Sequence, residues 1–551
     1  MTTRAAAVLA LALLWLPAWS PAALCDELSG ADKLRIVWST QFAWTRDGLP
    51  LVTVRLAEGR DEVTVEGVLA SGAPTSPRLL PDGEGGAEVL GGTTWKVRIE
   101  GASHAVNVKW HVVVARGLPS ESERLQGLAA TWRERGFAPR TFELGTVFGI
   151  RGAVIDGRER LVAVAPQSSE EAAQKEARSV AEKWKVETSV HPEVIERSGG
   201  MLVARDEHGM VVHNDGVLWF APEGGNSLLQ VEPVDKVGGG GDRRSYAGQI
   251  YVTVDAKGKL AVDNAVPEDK LLEGLLPAEM GAYAPHEALK AQAIAARNEL
   301  LAKVGTRHLT DPYRLCSSVH CQVYAGAGRE DPRTNLAVKE TRGEVLVRSD
   351  GRLVDAVYSS SCGGHTEDKE QVWGGAPDPA LRGRLDAGES EAKALARFEP
   401  VSDVAAFLGD LPAKPWCMAA KGGSAFRWTS RVPAATVENS TGVGALLSID
   451  VLARGVSGRA VRVKVKGSKG EQEIDGELAI RKAFGNLKSA LFTVALVKEG
   501  GAVREVVFTG GGHGHGVGMC QSGAMGQALA GRNYKQILEH YYRDSSVKKL
   551  Y

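Results

Sequence analysis

Short apolar runs separated by glycine turns fill the chain from Leu34 to about Val114: LRIVW, LVTVRLAE, EVTVEGVL, TWKVRIEG and AVNVKWHVVVA. Alternation with period two is clearest in VTVRLAE and EVTVEGV, the pattern of strands with one buried and one wet face. The rhythm changes after Trp110. A strand (WHVVVA) leads to a helix near 120–136, strands follow at RTFELG and RLVAVA, a second helix covers SSEEAAQKEARSVAEKW, and KVETSV closes the series. The second helix opens on a Ser-Ser-Glu-Glu capping sequence. This β-α-β-β-α-β order predicts a small α+β module over 109–195. Beyond a glycine-rich joint, VGGGGDRRSYAGQ, come strands QIYVTVD and KLAVDN, a strong helix from Pro285 to about Val304, and a mixed α/β stretch at about 376–505. No repeat or low-complexity segment interrupts the chain.

The first residues, MTTRAAAVLALALLWLPAWSPAALCDE, place one Arg before an apolar run that ends near Leu16. That is the pattern of a secretory signal peptide over 1–24, too short for a comfortable membrane span of about 20 residues. Cleavage is expected after Ala22 or Ala23, and the protein is expected in the periplasm or outside the cell. A lipid anchor on Cys25 is the lesser alternative, because Leu24 stands where a lipoprotein signal takes a small residue. The domains expected are therefore the signal, a β-rich region at 25–108, the α+β module at 109–195, and a catalytic region at 196–551.

Length and charge narrow the function. With 551 residues, about three or four domains are expected. A formal net charge of −1 argues against nucleic acid, whose phosphates call for an excess of Lys and Arg.

Four stretches carry chemistry. In LLEGLLPAEMGAYAPHEALKAQAIAARNELLAKVG, Glu279 is read in the loop before the helix, among Leu275, Leu276, Pro277 and Met280. It is either a partly desolvated general acid or a surface cap. RHLTDPYRLCSSVHCQVYAG brings His308, Cys316, His320 and Cys321 within fourteen residues. That set suits tetrahedral Zn2+, or a Cys316–Cys321 disulfide, or free thiols. DAVYSSSCGGHTEDKEQVWGG is a polar loop at a strand end without the G-x-S-x-G of a nucleophile elbow. GGGHGHGVGMCQSGA has neither the strand–GxGxxG–helix frame nor a P-loop, so phosphate binding is not expected.

In this order the four motifs resemble the family of stage II sporulation protein D and the amidase enhancer LytB. The family carries P.EM with EALKAQA.AAR, then HCQVY.G, YSS.CGG.TE and GHGVGM.Q.GA. Here these are Pro277–Met280 with Glu287–Arg297, His320–Gly326, Tyr358–Glu367 and Gly514–Ala524, within about 245–551. The module at 109–195 is similar, in element order, to the SPOR type of peptidoglycan-binding domain. The fold expected is a β-rich α+β multidomain protein with a mixed α/β core in its C-terminal half.

The resemblance implies a peptidoglycan lytic transglycosylase, cutting between N-acetylmuramic acid and N-acetylglucosamine and leaving a 1,6-anhydro end. Glu279 falls on the family's catalytic glutamate. One carboxyl suffices because the muramoyl 6-hydroxyl is the internal nucleophile, so no second carboxylate is needed. Gln292, Arg297, Ser360, His365, Thr366, His515 and Gln521 are the sugar contacts expected in the matching motifs. The glycines of the last motif would let the glycan lie against the main chain. Some members bind zinc through a cluster like the second stretch, which His308, Cys316, His320 and Cys321 occupy here, with Cys362 or His365 able to replace His308. The partners implied are glycan strands, rid of stem peptides in family usage, and a cell-wall amidase under the alternative that the chain binds wall and stimulates that enzyme.

Overall fold

The computed structural model describes residues 36–38, 43–45, 48–80, 89–150, 153–232, 244–318, 321, 324–418 and 425–551. The expected signal, Cys25 and His320 lie outside these residues. The N-terminal strands are β1 (Pro50–Arg60), β2 (Glu62–Leu69) and β3 (Thr94–His104). The module follows as β4 (Asn107–Gly117), α1 (Ser122–Glu134), β5 (Arg140–Leu144), β6 (Glu159–Gln167), α2 (Glu170–Trp184) and β7 (Ser189–Glu196). Then come β8 (Gly199–Asp206), β9 (Val217–Ala221), β10 (Ser227–Val231), β11 (Gln249–Val254) and β12 (Leu260–Pro267).

Two sheets form a sandwich from these strands. One runs β1–β12–β11–β9 and the other β8–β3–β2–β10. Val52, Val54 and Val252 on the first sheet share one buried cluster with Val65, Trp95 and Leu202 on the second. The alternation in β2 arises because only one face of the strand meets that core.

The module is an insertion between two paired strands. Its sheet order is β7–β4–β6–β5, all antiparallel, with α1 and α2 packed on it around Trp132, Val162 and Val180. Ser169 caps α2 by accepting from the Ala172 N–H at 3.2 Å. On either side of the insertion β3 and β8 pair directly, with Trp95 opposite Asp206. The boundary expected at 195/196 marks the end of this insertion, but the region expected at 25–108 and the strands after 196 form one folding unit. Strands before the module find their partners after it, because pairing is set by complementary apolar faces and not by position in the chain.

Helices cover the sandwich. β12 runs straight into α3 (Glu268–Glu279), and a short turn leads to α4 (His286–Lys303), for which Pro285 is the N-cap. Fourteen of the eighteen residues of α4 are buried, so this helix has almost no wet face. It is enclosed by α3, α5 (Pro332–Glu340), α6 (Gln521–Leu529) and α7 (Tyr534–Tyr541). Alanines at 291, 293, 295 and 296 allow those neighbours to come close. The α/β stretch expected near 376–505 holds two three-stranded sheets at 427–511 around a core of its own, including Val463, Phe484, Phe492 and Phe508.

Candidate functional site

The serine-cysteine and glycine-histidine motifs lie side by side. β13 (Tyr358–Ser359) pairs in parallel with β14 (Met519–Cys520), and Ser361 exchanges both backbone hydrogen bonds with His513, at 3.1 and 2.8 Å. Gly512, Gly514, Gly516 and Gly518 all have positive φ, from +69° to +96°. A Cβ on Gly518 would stand 2.1 Å from the Val357 carbonyl oxygen, and one on Gly516 would stand 2.3 Å from the Arg459 guanidinium carbon. The glycines admit the protein's own chain and the buried Arg459. The expected approach of a sugar to this backbone is corrected accordingly.

Where these two strands meet α3 and α4, polar groups gather around Glu279. Glu279 is the last residue of α3 and not part of the following loop as expected. Pro277 lies within the helix, which continues past it to the bond of Met280 N–H on the Leu276 carbonyl at 2.9 Å. The Glu279 carboxylate accepts from the Tyr358 hydroxyl. Burial, together with the charge of Glu279, pushes the Tyr358 phenol well above its ordinary range, so it remains a donor. Gln521, at the start of α6, donates from Nε2 to the Glu279 carbonyl at 2.9 Å and to Gln292 Oε1 at 3.2 Å. The Gln292 amide nitrogen is buried without a partner among the described residues. Three motifs far apart in the chain thus converge on one half-exposed carboxyl. Tyr358 was missed as a site residue. Its signal was its place at the strand end that opens YSSSCGG.

The remaining expected sugar contacts divide. Ser360 is exposed, and its carbonyl accepts from the Ser522 hydroxyl at 2.9 Å. Arg297 is fully buried and bound to Glu268 at 2.6 Å and to the Thr341 and Glu344 carbonyls, so it holds helices together and cannot reach a sugar. His365 is fully buried with Nδ1 2.6 Å from the Thr366 carbonyl, and burial pushes its pKa down to about 4. Thr366 is buried, and its hydroxyl accepts from the Arg384 N–H at 2.9 Å. His515 spends both ring nitrogens on the fold. Nε2–H donates to the Tyr358 carbonyl at 2.9 Å and Nδ1 accepts from Val517 N–H at 3.1 Å. Burial, then the charge of Arg459, pushes its pKa down to about 3. His515 therefore fixes the strand that carries Tyr358. Trp373, 51 % exposed, rests its ring 4.9 Å from that of His515.

The first cysteine cluster lies behind this site. A ring nitrogen of His308 and the Cys316 and Cys321 sulfurs lie within 4.8 Å of one another. His308 Nε2 is 3.3 Å from Cys321 Sγ, and Nδ1 is 3.0 Å from the Asp311 carboxylate. A carboxylate behind the imidazole is the usual support for a metal-ligating histidine. Cys316 and Cys321 are free thiols. Hydrogen bonds from Cys321 and His308 hold the Cys316 thiol well below its ordinary range. The three donors fit zinc. Cys362 and His365, expected as substitutes for His308, belong to a different part of the interior. Lys303 joins this cluster to the Glu279 site: it donates to the Cys321 carbonyl at 3.0 Å and pairs with Glu299, whose charge also bears on Tyr358.

Residues 256–347 match the family model described as Stage II sporulation protein, and residues 367–518 match a domain of unknown function (DUF8618). The chain belongs to the family of stage II sporulation protein D and the amidase enhancer. An uncharacterised protein of Brachyspira hyodysenteriae is 30 % identical over 289 residues, spanning 52 % of this chain and 68 % of that protein. The amidase enhancer of Bacillus subtilis is 30 % identical over 295 residues, which are 50 % of this chain but only 40 % of that protein. Stage II sporulation protein D of Bacillus amyloliquefaciens is 25 % identical over 314 residues, 54 % of this chain and 79 % of that protein.

Proposed function

We propose that this chain is an exported lytic transglycosylase of the bacterial cell wall, cutting glycan strands at the bond between N-acetylmuramic acid and N-acetylglucosamine. The observation that carries the reading is the half-exposed Glu279 carboxyl held by the Tyr358 hydroxyl, with its backbone tied down by Gln521. In this reading protonated Glu279 gives its proton to the leaving glycosidic oxygen. The resulting carboxylate then takes the proton of the muramoyl 6-hydroxyl as that oxygen closes on the anomeric carbon. Tyr358 steadies the carboxylate between the two steps, and the exposed Trp373 ring offers an apolar face to a pyranose. His308, Cys316 and Cys321, with His320 as the fourth donor expected, would hold a zinc ion that braces the C-terminal end of α4. Four protein ligands leave no open position for chemistry.

The name of the Bacillus subtilis relative favours a second reading, a wall-bound protein that stimulates an amidase. Digestion of denuded glycan strands separates the two. The first expects anhydromuramoyl ends from the wild type and none from Glu279→Gln. Absence of such ends from the wild type, with binding to the strands retained, selects the second.

A further inference from the structure

Three cysteines and an aspartate from four separate parts of the chain meet in the interior, apart from the His308 cluster. Cys362 follows β13, Asp386 lies on a loop beyond it, Cys417 sits in the turn Trp416–Met418, and Cys520 is the N-cap of α6. Their ligating atoms all lie within 4.8 Å of one another. Cys362, Asp386 and Cys520 are fully buried and Cys417 is 3 % exposed. Cys362 Sγ is 3.7 Å from Cys417 Sγ and 3.3 Å from Asp386 Oδ2. A disulfide would bring two sulfurs to about 2.05 Å. Around tetrahedral zinc, with Zn–S near 2.3 Å and Zn–O near 2.0 Å, thiolates stand about 3.8 Å apart and a thiolate stands about 3.5 Å from a carboxylate oxygen. The observed spacings are those of ligands around one ion.

The surroundings support such ligands. Backbone N–H groups of Cys362 and Gly523 point at Cys520 Sγ, at 3.1 and 3.3 Å. Asp386 accepts from the Cys417 N–H at 3.0 Å and from the Tyr541 hydroxyl at 2.7 Å. Bonds of this kind orient ligating groups and stabilise their charge. Arg427 and Arg459 donate to the carbonyls of Gly363 and Cys362, at 2.8 and 2.9 Å, so two fixed positive charges flank the cluster. Burying three thiols and a carboxyl together is costly unless something answers their charge. A divalent ion held by three thiolates and one carboxylate carries a net charge of minus two, which these two guanidiniums offset.

We propose that Cys362, Asp386, Cys417 and Cys520 form a second, closed metal site that takes a zinc-type thiophilic divalent cation. On binding, the ion replaces the protons of the three thiols and of any protonated carboxyl, and these leave to solvent. The site has a mechanical meaning. Cys362 lies just before, and Cys520 just after, the segment 367–518 that forms a separate matched region, while Asp386 and Cys417 lie inside it. One ion would tie both ends of that segment to a point within it. Gln521, which grips the Glu279 backbone, is the residue next to Cys520. The ion is thus a staple for the site and takes no part in the reaction.

The test is metal content of the full chain, purified without chelator, by elemental mass spectrometry and native intact mass. Cys417→Ser and Cys362→Ser each lose one ion per chain relative to wild type, whereas Cys316→Ser keeps this ion. Exchange for Co2+ in Cys316→Ser gives a thiolate-to-cobalt charge-transfer band. Unchanged metal content in folded Cys417→Ser overturns the proposal. So does a denatured wild-type mass two hydrogens light with Cys362 and Cys417 in one crosslinked peptide. Should Cys417→Ser and Cys362→Ser fail to fold, Cys316→Ser decides by itself: one ion per chain and the cobalt band support the site, and a metal-free chain overturns it.

Discussion

Two glutamates close the two ends of helix α3, and they live differently. Glu268 begins the helix, fully buried, with Arg297 at 2.6 Å and the Tyr551 hydroxyl at 2.7 Å. A negative charge is welcome at that end, where free N–H groups point outward. Glu279 ends the helix, half exposed, at the carbonyl end where a negative charge is least favoured, and a neutral phenol donates to it. Burial pushes the first carboxyl up against the pull of Arg297, and its partners hold it still. In the proposed reading the second is reached by a ligand and changes its proton. Chemical identity does not distinguish them, but their partners and their ends of the helix do.

Removing Glu279, or the Arg297 partner of Glu268, breaks this comparison in opposite ways. Glu279→Gln keeps the shape and the hydrogen bonds of the backbone but cannot pass a proton. Loss of a general acid costs about 100- to 10,000-fold in turnover, read from release of anhydromuramoyl ends, with the thermal midpoint unchanged. A matched fall in stability would make Glu279 a second Glu268. Arg297→Ala leaves Glu268 buried without its cation. The expected loss is about 3–5 kcal/mol of folding stability, measured by urea unfolding. A soluble, equally stable Arg297→Ala with impaired glycan binding would return Arg297 to the site.

The helix carrying Gln292 and Arg297 shows what could be read from the sequence. EALKAQAIAAR announces a helix from Pro285 onward, and its composition is enough for that. Its burial on all sides is not legible there, because Gln292, Arg297, Asn298, Glu299 and Lys303 give it the look of a wet face. Each finds its partner far along the chain: Asn298 bonds the Leu346 and Val354 carbonyls, and Gln292 meets Gln521. Polar residues in a motif were therefore read as sugar contacts when several are internal ties. The His308 cluster was legible since its donors are local. The Cys362 cluster was not, because Cys362 and Cys520 stand 158 residues apart. The sandwich strands were legible one by one, but the insertion between β3 and β8 hid that they pair.

Tyr358→Phe sharpens the difference between the two carboxyls at smaller cost. It removes the donor to Glu279 and leaves the ring in place. A hydrogen bond to a charged group is worth about 1.5–3 kcal/mol, so turnover should fall roughly 10- to 100-fold. The alkaline side of the pH–rate profile should move to higher pH, since the phenol favours the ionised carboxyl over the protonated one that the first step needs. A change in KM alone would make Tyr358 a binding residue and not a support for Glu279.

The smallest effect concerns His515, which touches neither carboxyl directly yet holds the strand of Tyr358. His515→Gln strands the Tyr358 carbonyl or the Val517 N–H and should cost about 1–3 kcal/mol at neutral pH. The dependence on pH identifies the cause. The folded histidine has its pKa pushed down from 6.5 to about 3 by burial. Between those values the unfolded chain binds a proton that the folded chain refuses, so stability falls as pH falls. The contribution of His515 is complete above pH 6.5 and lost on the way to about pH 3. Urea midpoints of wild type and His515→Gln should therefore converge as the pH is lowered through this window. Glutamine does not titrate, so a constant gap would mean that His515 supports the strand by shape alone.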